Sequence, residues 1–214
     1  MKNQNIKPNE KERIALTLFY NRFYDLYDEL STGDFFKSEP SYRFYKIREI
    51  FSVYKELLGY EPIKYHIKVI KSTRPPLEGI IVSDLFSFIR NLLLHFPIFD
   101  NWDDVYISKD LATWNKAGTI HKFLKESTKI KIDDKGTVKY RIWEESKKLM
   151  THISINFPEE YNDNKIFLKD IVSEKEGIKL CISFMKEILD VQVDSNEEQD
   201  IKIMSQVYVP KIGQ

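Results

Sequence analysis

The chain has 214 residues, of which 42% are hydrophobic and 14% aromatic, so it is long and apolar enough to bury a sizeable core. Its 33 basic and 33 acidic side chains give a formal net charge of zero, which argues against a binder of polyanions over the whole surface but leaves room for a local basic patch. The single cysteine, Cys181, excludes an intrachain disulfide framework and a cysteine-cluster metal site, and it is expected to be a small core residue.

Membrane contact is not expected from the sequence. No apolar run approaches the ~20 residues that a membrane span needs. Residues 1–12 are polar and lack the apolar stretch of a signal peptide. The sequence therefore predicts a cytoplasmic protein.

Two amphipathic helices are predicted in the N-terminal part of the chain. Residues 10–30 carry apolar side chains at helical spacings, and the turn-forming residues 31–34 end that helix. A second helix is predicted to open at Pro40 and to run to Leu58, because Gly59 follows at its C-terminal side.

A third helix is the most distinctive element of the sequence. Residues 63–70 are ambiguous between strand and helix, and residues 73–76 form a break. The third helix is then predicted over residues 78–95. Pro97 stops it, because the residue before a proline is disfavoured in the α conformation.

The second half of the chain is predicted to mix short elements with one long helix. Short helices are expected at 108–114 and 119–125. Residues 129–132 and 137–142 alternate polar and apolar side chains around a turn, which predicts a β-hairpin. The remaining expectations are a helix at 144–150, a loop at 158–164, and a long helix at 166–189 that Gly177 is able to break.

These elements predict a mainly α-helical chain with a small β-hairpin inserted near residues 129–142. No internal repeat, low-complexity tract or linker divides the sequence. A single domain is therefore expected over residues 1–214.

The polar residues of the third helix gather on one side of its helical wheel. With about 100° per residue, they fall within an arc of roughly 140°, which also includes Leu94. The opposite side is apolar and predicts a core face. The polar arc consists of Ser83, Asp84, Ser87, Arg90, Asn91 and His95; the apolar side consists of Leu85, Phe86, Ile89, Leu92 and Leu93.

The kinds of side chain on this arc are unusual for a solvated helix face. Such faces normally carry Lys and Glu at helical spacings, and this arc carries neither although lysine is abundant in the chain. Its side chains have short or planar hydrogen-bonding ends. They are typical of a cleft or a subunit interface where geometry is fixed.

The six residues Arg90-Asn91-Leu92-Leu93-Leu94-His95 resemble the Arg-polar-x-x-x-His signature of HEPN domains, which are all-α proteins of bacterial toxins, abortive-infection systems and CRISPR-associated ribonucleases. The resemblance implies a HEPN-like core within residues 10–127 together with the 166–189 helix. It also implies metal-independent cleavage of RNA without a cofactor, a homodimer with a composite site, and an antitoxin as a further partner.

The chemistry that the resemblance implies suits these side chains. Arg90 would hold the charge that builds up on the phosphate oxygens through a two-pronged guanidinium contact. His95 titrates near neutrality and would act as general acid or base. Asn91 would orient the imidazole or a phosphate oxygen, Asp84 would pair with Arg90 or His95, and Ser87 lies beside them as a supporting residue.

A structural interpretation of the same residues stands beside the catalytic one. A histidine at a helix C-terminus is favoured by the helix dipole alone. Arg90 would then be an ion-pair partner of Asp84, and Asn91 a C-terminal hydrogen-bonding residue. In that case the chain is a non-catalytic HEPN-like helical module that binds a protein or nucleic-acid partner.

Overall fold

The computed structural model describes residues 9–73, 85–96, 98–111, 122, 137–144, 148–156, 158 and 160–190, and the fold is set out for these residues. They form six α-helices, short 3-10 turns and two small antiparallel sheets. The mainly α-helical fold with a small hairpin that the sequence predicts is confirmed. Within the described ranges, no helix is long and apolar enough to cross a membrane.

Helix α1 spans Glu10–Ser31 and begins with a reciprocal cap. The Asn9 side chain accepts a hydrogen bond from the Glu12 amide, and the Glu12 carboxylate accepts one from the Asn9 amide. This arrangement satisfies two of the amides that every helix start leaves without an intrahelical partner. The helix predicted for residues 10–30 is confirmed.

Helix α2 spans Pro40–Leu57 and begins at the proline, as predicted. It runs antiparallel to α1, because Arg22 pairs with Glu49 at 2.6 Å while Glu29, further along α1, pairs with Lys46 nearer the start of α2 at 2.8 Å. Helix α3 spans Glu61–Thr73, so the ambiguous residues 63–70 are helical.

Helix α4 spans Phe86–His95 and is the described part of the third predicted helix. Residues 74–84 lie outside the described ranges, so its predicted start at residue 78 does too. The predicted end at His95 is confirmed. Phe86 anchors the start of α4 on α2, with its ring edge-to-face against Phe51 at 6.2 Å and Tyr54 at 5.9 Å between centroids.

The single helix predicted for residues 166–189 is wrong, because two helices occupy this part of the chain. They are α5, Leu168–Ile171, and α6, Glu174–Asp190. The first residues of that span belong instead to a strand, and extended Val172 separates the two helices. Gly177 does not break α6; it lies inside the first turns. Its amide donates to the Ser173 hydroxyl at 3.0 Å, which caps the start of the helix.

The strands also correct part of the prediction. Strand β1, Tyr106–Ser108, pairs with β4, Lys165–Phe167. Strand β2, Thr137–Glu144, matches the predicted strand 137–142, and it pairs with β3, Leu149–Asn156. The helix expected at 144–150 is therefore wrong, because β-branched residues at alternate positions of β3 favour an extended chain. The proposed first strand at 129–132 lies outside the described residues.

The short helices expected in the middle of the chain are mostly beyond what the structure describes. Residues 109–111 form a single 3-10 turn, and residues 112–121 and 123–136 lie outside the described ranges. The expected loop at 158–164 contains an isolated bridge between Asn162 and Lys165.

One cluster of buried side chains joins the helices to the sheets. Phe23 of α1, Ile47 of α2 and Ile178 of α6 are fully buried in it. Cys181 is buried in the same cluster, as predicted, and burial raises the pKa of its thiol. Trp102 joins the chain after α4 to this core, because its indole donates to the Val172 carbonyl at 3.2 Å.

Two hydrogen bonds bind Arg43 at the start of α2 to Glu174 at the start of α6. The guanidinium donates through Nε and Nη2 to the two carboxylate oxygens at 2.8 and 2.9 Å. The bond to Glu174 is the main cause that raises the pKa of Arg43, and the charge of nearby Asp103 raises it further. The start of α2, the start of α6 and the segment after α4 therefore meet at one end of the fold.

The close contact at Gly177 makes a test of this packing. A Cβ atom there would lie 2.1 Å from Cγ2 of buried Val172. We expect Gly177→Ala to lower the free energy of unfolding by about 1–3 kcal/mol, because overpacking outweighs the better helix propensity of alanine. Urea unfolding followed by circular dichroism measures the change. Gly33→Ala is the matched control, since a Cβ there meets no atom within 4 Å; equal loss in both variants would contradict the packing argument.

Glu29 makes a second test, because it joins α1 to α2 electrostatically. Burial raises the pKa of its carboxyl, but hydrogen bonds from Lys46 and Tyr42 outweigh burial and hold it below the usual value. A carboxyl whose pKa is lower in the folded state stabilises the fold at pH values above its unfolded pKa. That stabilisation is lost as the pH falls through the folded pKa.

We therefore expect Glu29→Gln to be less stable than the native chain at pH 7, by about 1 kcal/mol for a partly exposed ion pair. The difference should shrink to nothing in acid, where the native carboxyl is also protonated. Thermal melts from pH 7 down to pH values below the folded pKa measure it. Glu56→Gln, at an exposed position of α2, should show no such dependence on pH; a constant difference for Glu29→Gln would refute the linkage.

Candidate functional site

Helix α4 brings together four of the five candidate residues: Ser87, Arg90, Asn91 and His95. The fifth, Asp84, lies outside the described residues together with Ser83. The apolar side predicted by the wheel is confirmed, because Leu85, Phe86, Ile89, Leu92 and Leu93 are all buried. Phe88, which neighbours His95 on the wheel, is buried as well.

The polar arc of the described helix, defined by Ser87, Arg90, Asn91, Leu94 and His95, is half-buried throughout. None of its five side chains is fully exposed and none belongs to the core. A helix face of a globular protein normally changes from core to open solvent around its circumference. The part of α4 that the structure describes instead changes from core to a partly covered surface, which fits the side of a cleft or an interface.

Arg90 is oriented by its neighbour Asn91. The guanidinium donates through Nη1 to the Asn91 amide oxygen at 3.1 Å. Its Nε atom is buried and has no hydrogen-bond partner in the structure. A buried donor without a partner costs free energy, so an acceptor brought to this N–H would stabilise the site. Asn91, which the sequence assigned to the imidazole or a phosphate, contacts the arginine.

His95 is the last residue of α4, one turn after Asn91. The final carbonyl groups of a helix have no intrahelical partner and carry partial negative charge, so they attract a protonated imidazole. The following residue, Phe96, leaves the helical conformation with φ −117° and ψ 74°. Arg90 and His95 therefore bound the two ends of a single arc.

Arg48 on α2 is a functional candidate that sequence reasoning missed. It is half-buried, and among the described residues no carboxylate or hydrogen-bond acceptor is recorded as its partner. The sequence carried a signal for it: positions three and four residues away are aromatic or serine, so no carboxylate stands at helical spacing. The same is true of Arg90, where those positions are Phe86, Ser87, Leu93 and Leu94.

Metal chemistry finds no support in the described part of the chain, where no group of three or more His, Cys, Asp or Glu side chains is placed to hold an ion.

Neither a known protein family, nor a curated protein, nor a solved structure matches this chain. The resemblance to HEPN domains therefore depends on the signature residues of α4 and on the helical character of the fold.

Proposed function

We propose that this chain is a HEPN-type, metal-independent endoribonuclease of bacterial defence or toxin type, with Arg90 and His95 in its active site. The observation that carries the proposal is the half-buried polar arc of α4, where a guanidinium, an amide and an imidazole share one side of a short helix. Cleavage of RNA by its own 2′-hydroxyl needs proton transfer and stabilisation of negative charge on the phosphate, which an imidazole and a guanidinium are able to provide.

The proposed reaction divides the work between the two ends of the arc. The 2′-oxygen attacks the adjacent phosphorus, loses its proton, and forms a cyclic phosphate as the bond to the 5′-oxygen breaks and that oxygen gains a proton. Arg90 holds the negative charge of the non-bridging oxygens, using the Nε that has no partner in the free protein. His95 moves one of the two protons.

A single imidazole cannot remove one proton and deliver the other in the same step. The proposal therefore includes a homodimer in which two copies of the arc face each other and supply two histidines. The resemblance extends the proposal to an antitoxin partner, and the lack of a long apolar run in the sequence extends it to a cytoplasmic location. Asn91 acts in it as a positioning residue that fixes the Arg90 guanidinium through their hydrogen bond.

Cleavage of single-stranded RNA in the presence of EDTA tests the proposal directly. Arg90→Ala and His95→Ala should each lower the cleavage rate by about 10²–10⁴-fold, the usual effect of removing an electrostatic or acid–base group. Arg90→Lys should fall between native and alanine, because lysine keeps the charge and loses the planar fork. Asn91→Ala should lower the rate less than Arg90→Ala.

His152→Ala is the matched control, since it removes an imidazole from β3 and should leave the rate unchanged. Circular dichroism checks that every variant is folded. Equal cleavage by the native chain and both alanine variants would show that Arg90 and His95 are not the active site. Loss of activity in EDTA would exclude the metal-independent mechanism, and a native chain without activity would favour the non-catalytic module.

A further inference from the structure

The described arginines differ in what they contact. Arg22 pairs with Glu49 and Arg43 with Glu174, and each of those pairs joins two helices. Arg48 and Arg90 are also half-buried, yet neither forms an ion pair with a carboxylate of the described residues, which do not include Asp84. Arg90 keeps one buried donor, Nε, without a partner, which is costly. Arg48 is partly buried as a whole residue, and none of its nitrogen atoms is both buried and without a partner.

Helix α4 runs antiparallel to α2. Phe86 at the start of α4 packs against Phe51 and Tyr54 in the second half of α2. The chain that follows the end of α4 returns to the start of α2, because Trp102 bonds to Val172 and Asp103 acts on Arg43.

Because α4 runs antiparallel to α2, Arg48 and Arg90 are expected at about the same height along the contact between the two helices. Arg48 precedes Phe51 by three residues, and Arg90 follows Phe86 by four, so each lies about one turn from the ring contact. Around the axis of α2, Arg48 therefore lies roughly 60° from Phe51, and around the axis of α4, Arg90 lies roughly 40° from Phe86. Because the helices are antiparallel, both rotations point to the same side of the α2–α4 contact.

Two like charges at the edge of one helix contact repel each other unless an anion lies between them. Arginine at such a place favours a phosphate, because its planar fork of donors matches the phosphate oxygens. Arg90 still has the buried Nε donor, and Asn91 holds its guanidinium in place. The side of the contact that carries both arginines continues along α4 to His95.

We infer that Arg48 and Arg90 form a phosphate-binding site at the α2–α4 edge that takes up a backbone phosphate of single-stranded RNA. Naming RNA as the ligand rests on the proposed function; the pairing of the two arginines does not. Arg48 thereby acts as a binding residue at the end of the polar arc that is furthest from His95.

The experiment measures binding rather than cleavage. The probe is a fluorescent single-stranded RNA with 2′-O-methyl groups, which cannot be cleaved by its own hydroxyl. We expect Arg48→Gln and Arg90→Gln each to weaken binding to the full-length chain about tenfold, as for a lost charged hydrogen bond. The plot of log affinity against log salt should become less steep by about 0.7, the value for one single-strand phosphate contact.

The matched control is Arg22→Gln, which removes the same charge from an arginine of α1 that is paired with Glu49. This variant should leave the affinity and the salt slope nearly unchanged. Arg48→Lys should recover part of the affinity, since it restores the charge. Thermal melts check folding; Arg48→Gln should not lower the melting temperature, because it breaks no ion pair with a carboxylate of the described residues.

Equal binding by native and Arg48→Gln chains would overturn the inference, as would an equal loss in Arg22→Gln or no binding by the native chain. Displacement of the RNA by inorganic phosphate, but not by chloride of the same ionic strength, would assign the site to free phosphate. The proposed nuclease fails separately: if unmodified RNA is bound with this arginine dependence but never cleaved, the phosphate site stands and the catalytic assignment does not.

Discussion

The ring contact of Phe86 with Phe51 and Tyr54 decides how α4 is rotated against α2, and the candidate site depends on that rotation. Burying a phenylalanine stabilises a fold by about 1.5–3 kcal/mol, and edge-to-face aromatic pairs add about 0.5–1.5 kcal/mol. Turning α4 by a single residue, about 100°, would move the whole polar arc away from its present position beside α2. The orientation of the polar arc is therefore fixed from the apolar side of the helix.

The parts of the fold that were predictable are those in which local sequence and packing agree. Helix α1 has its cap, its apolar spacing and its turn residues within one segment, and the wheel of α4 identified its buried side correctly. Each of these signals is read over a few turns of chain. Burial of one helix face requires only that some partner exists, so the prediction does not depend on knowing which element that partner is.

Predictions failed where the outcome depends on residues distant in sequence. Strand β4 forms because Lys165–Phe167 pairs with Tyr106–Ser108, and this pairing replaces the helical start expected at residue 166. At Gly177 the sequence suggested a helix break, whereas the structure uses the missing side chain for close approach to Val172. The helix predicted for residues 144–150 took in the end of β2 and the first two residues of β3, because short apolar runs suit both conformations.

In the candidate site too, the features that depend on local sequence were predictable and those that depend on distant residues were not. The arc of α4 was recognisable because its residues share one helix. Arg48 comes from another helix, so its inferred position near Arg90 depends on how α4 runs along α2. What the sequence did carry was a negative signal, since neither arginine has a carboxylate three or four residues away.

The lack of a carboxylate at helical spacing bears on whether these arginines serve function or stability, because the two roles differ in free energy. An arginine kept for stability is expected to be paired, as Arg43 is with Glu174, because half-burial of an unpaired guanidinium weakens the fold. The buried Nε of Arg90 is not satisfied in that way, and partly buried Arg48 forms no ion pair with a carboxylate of the described residues. Proteins accept such local instability where a ligand later compensates it. A backbone phosphate between the two arginines would place one negative charge within reach of both, so part of the cost in the free chain becomes affinity for the anion.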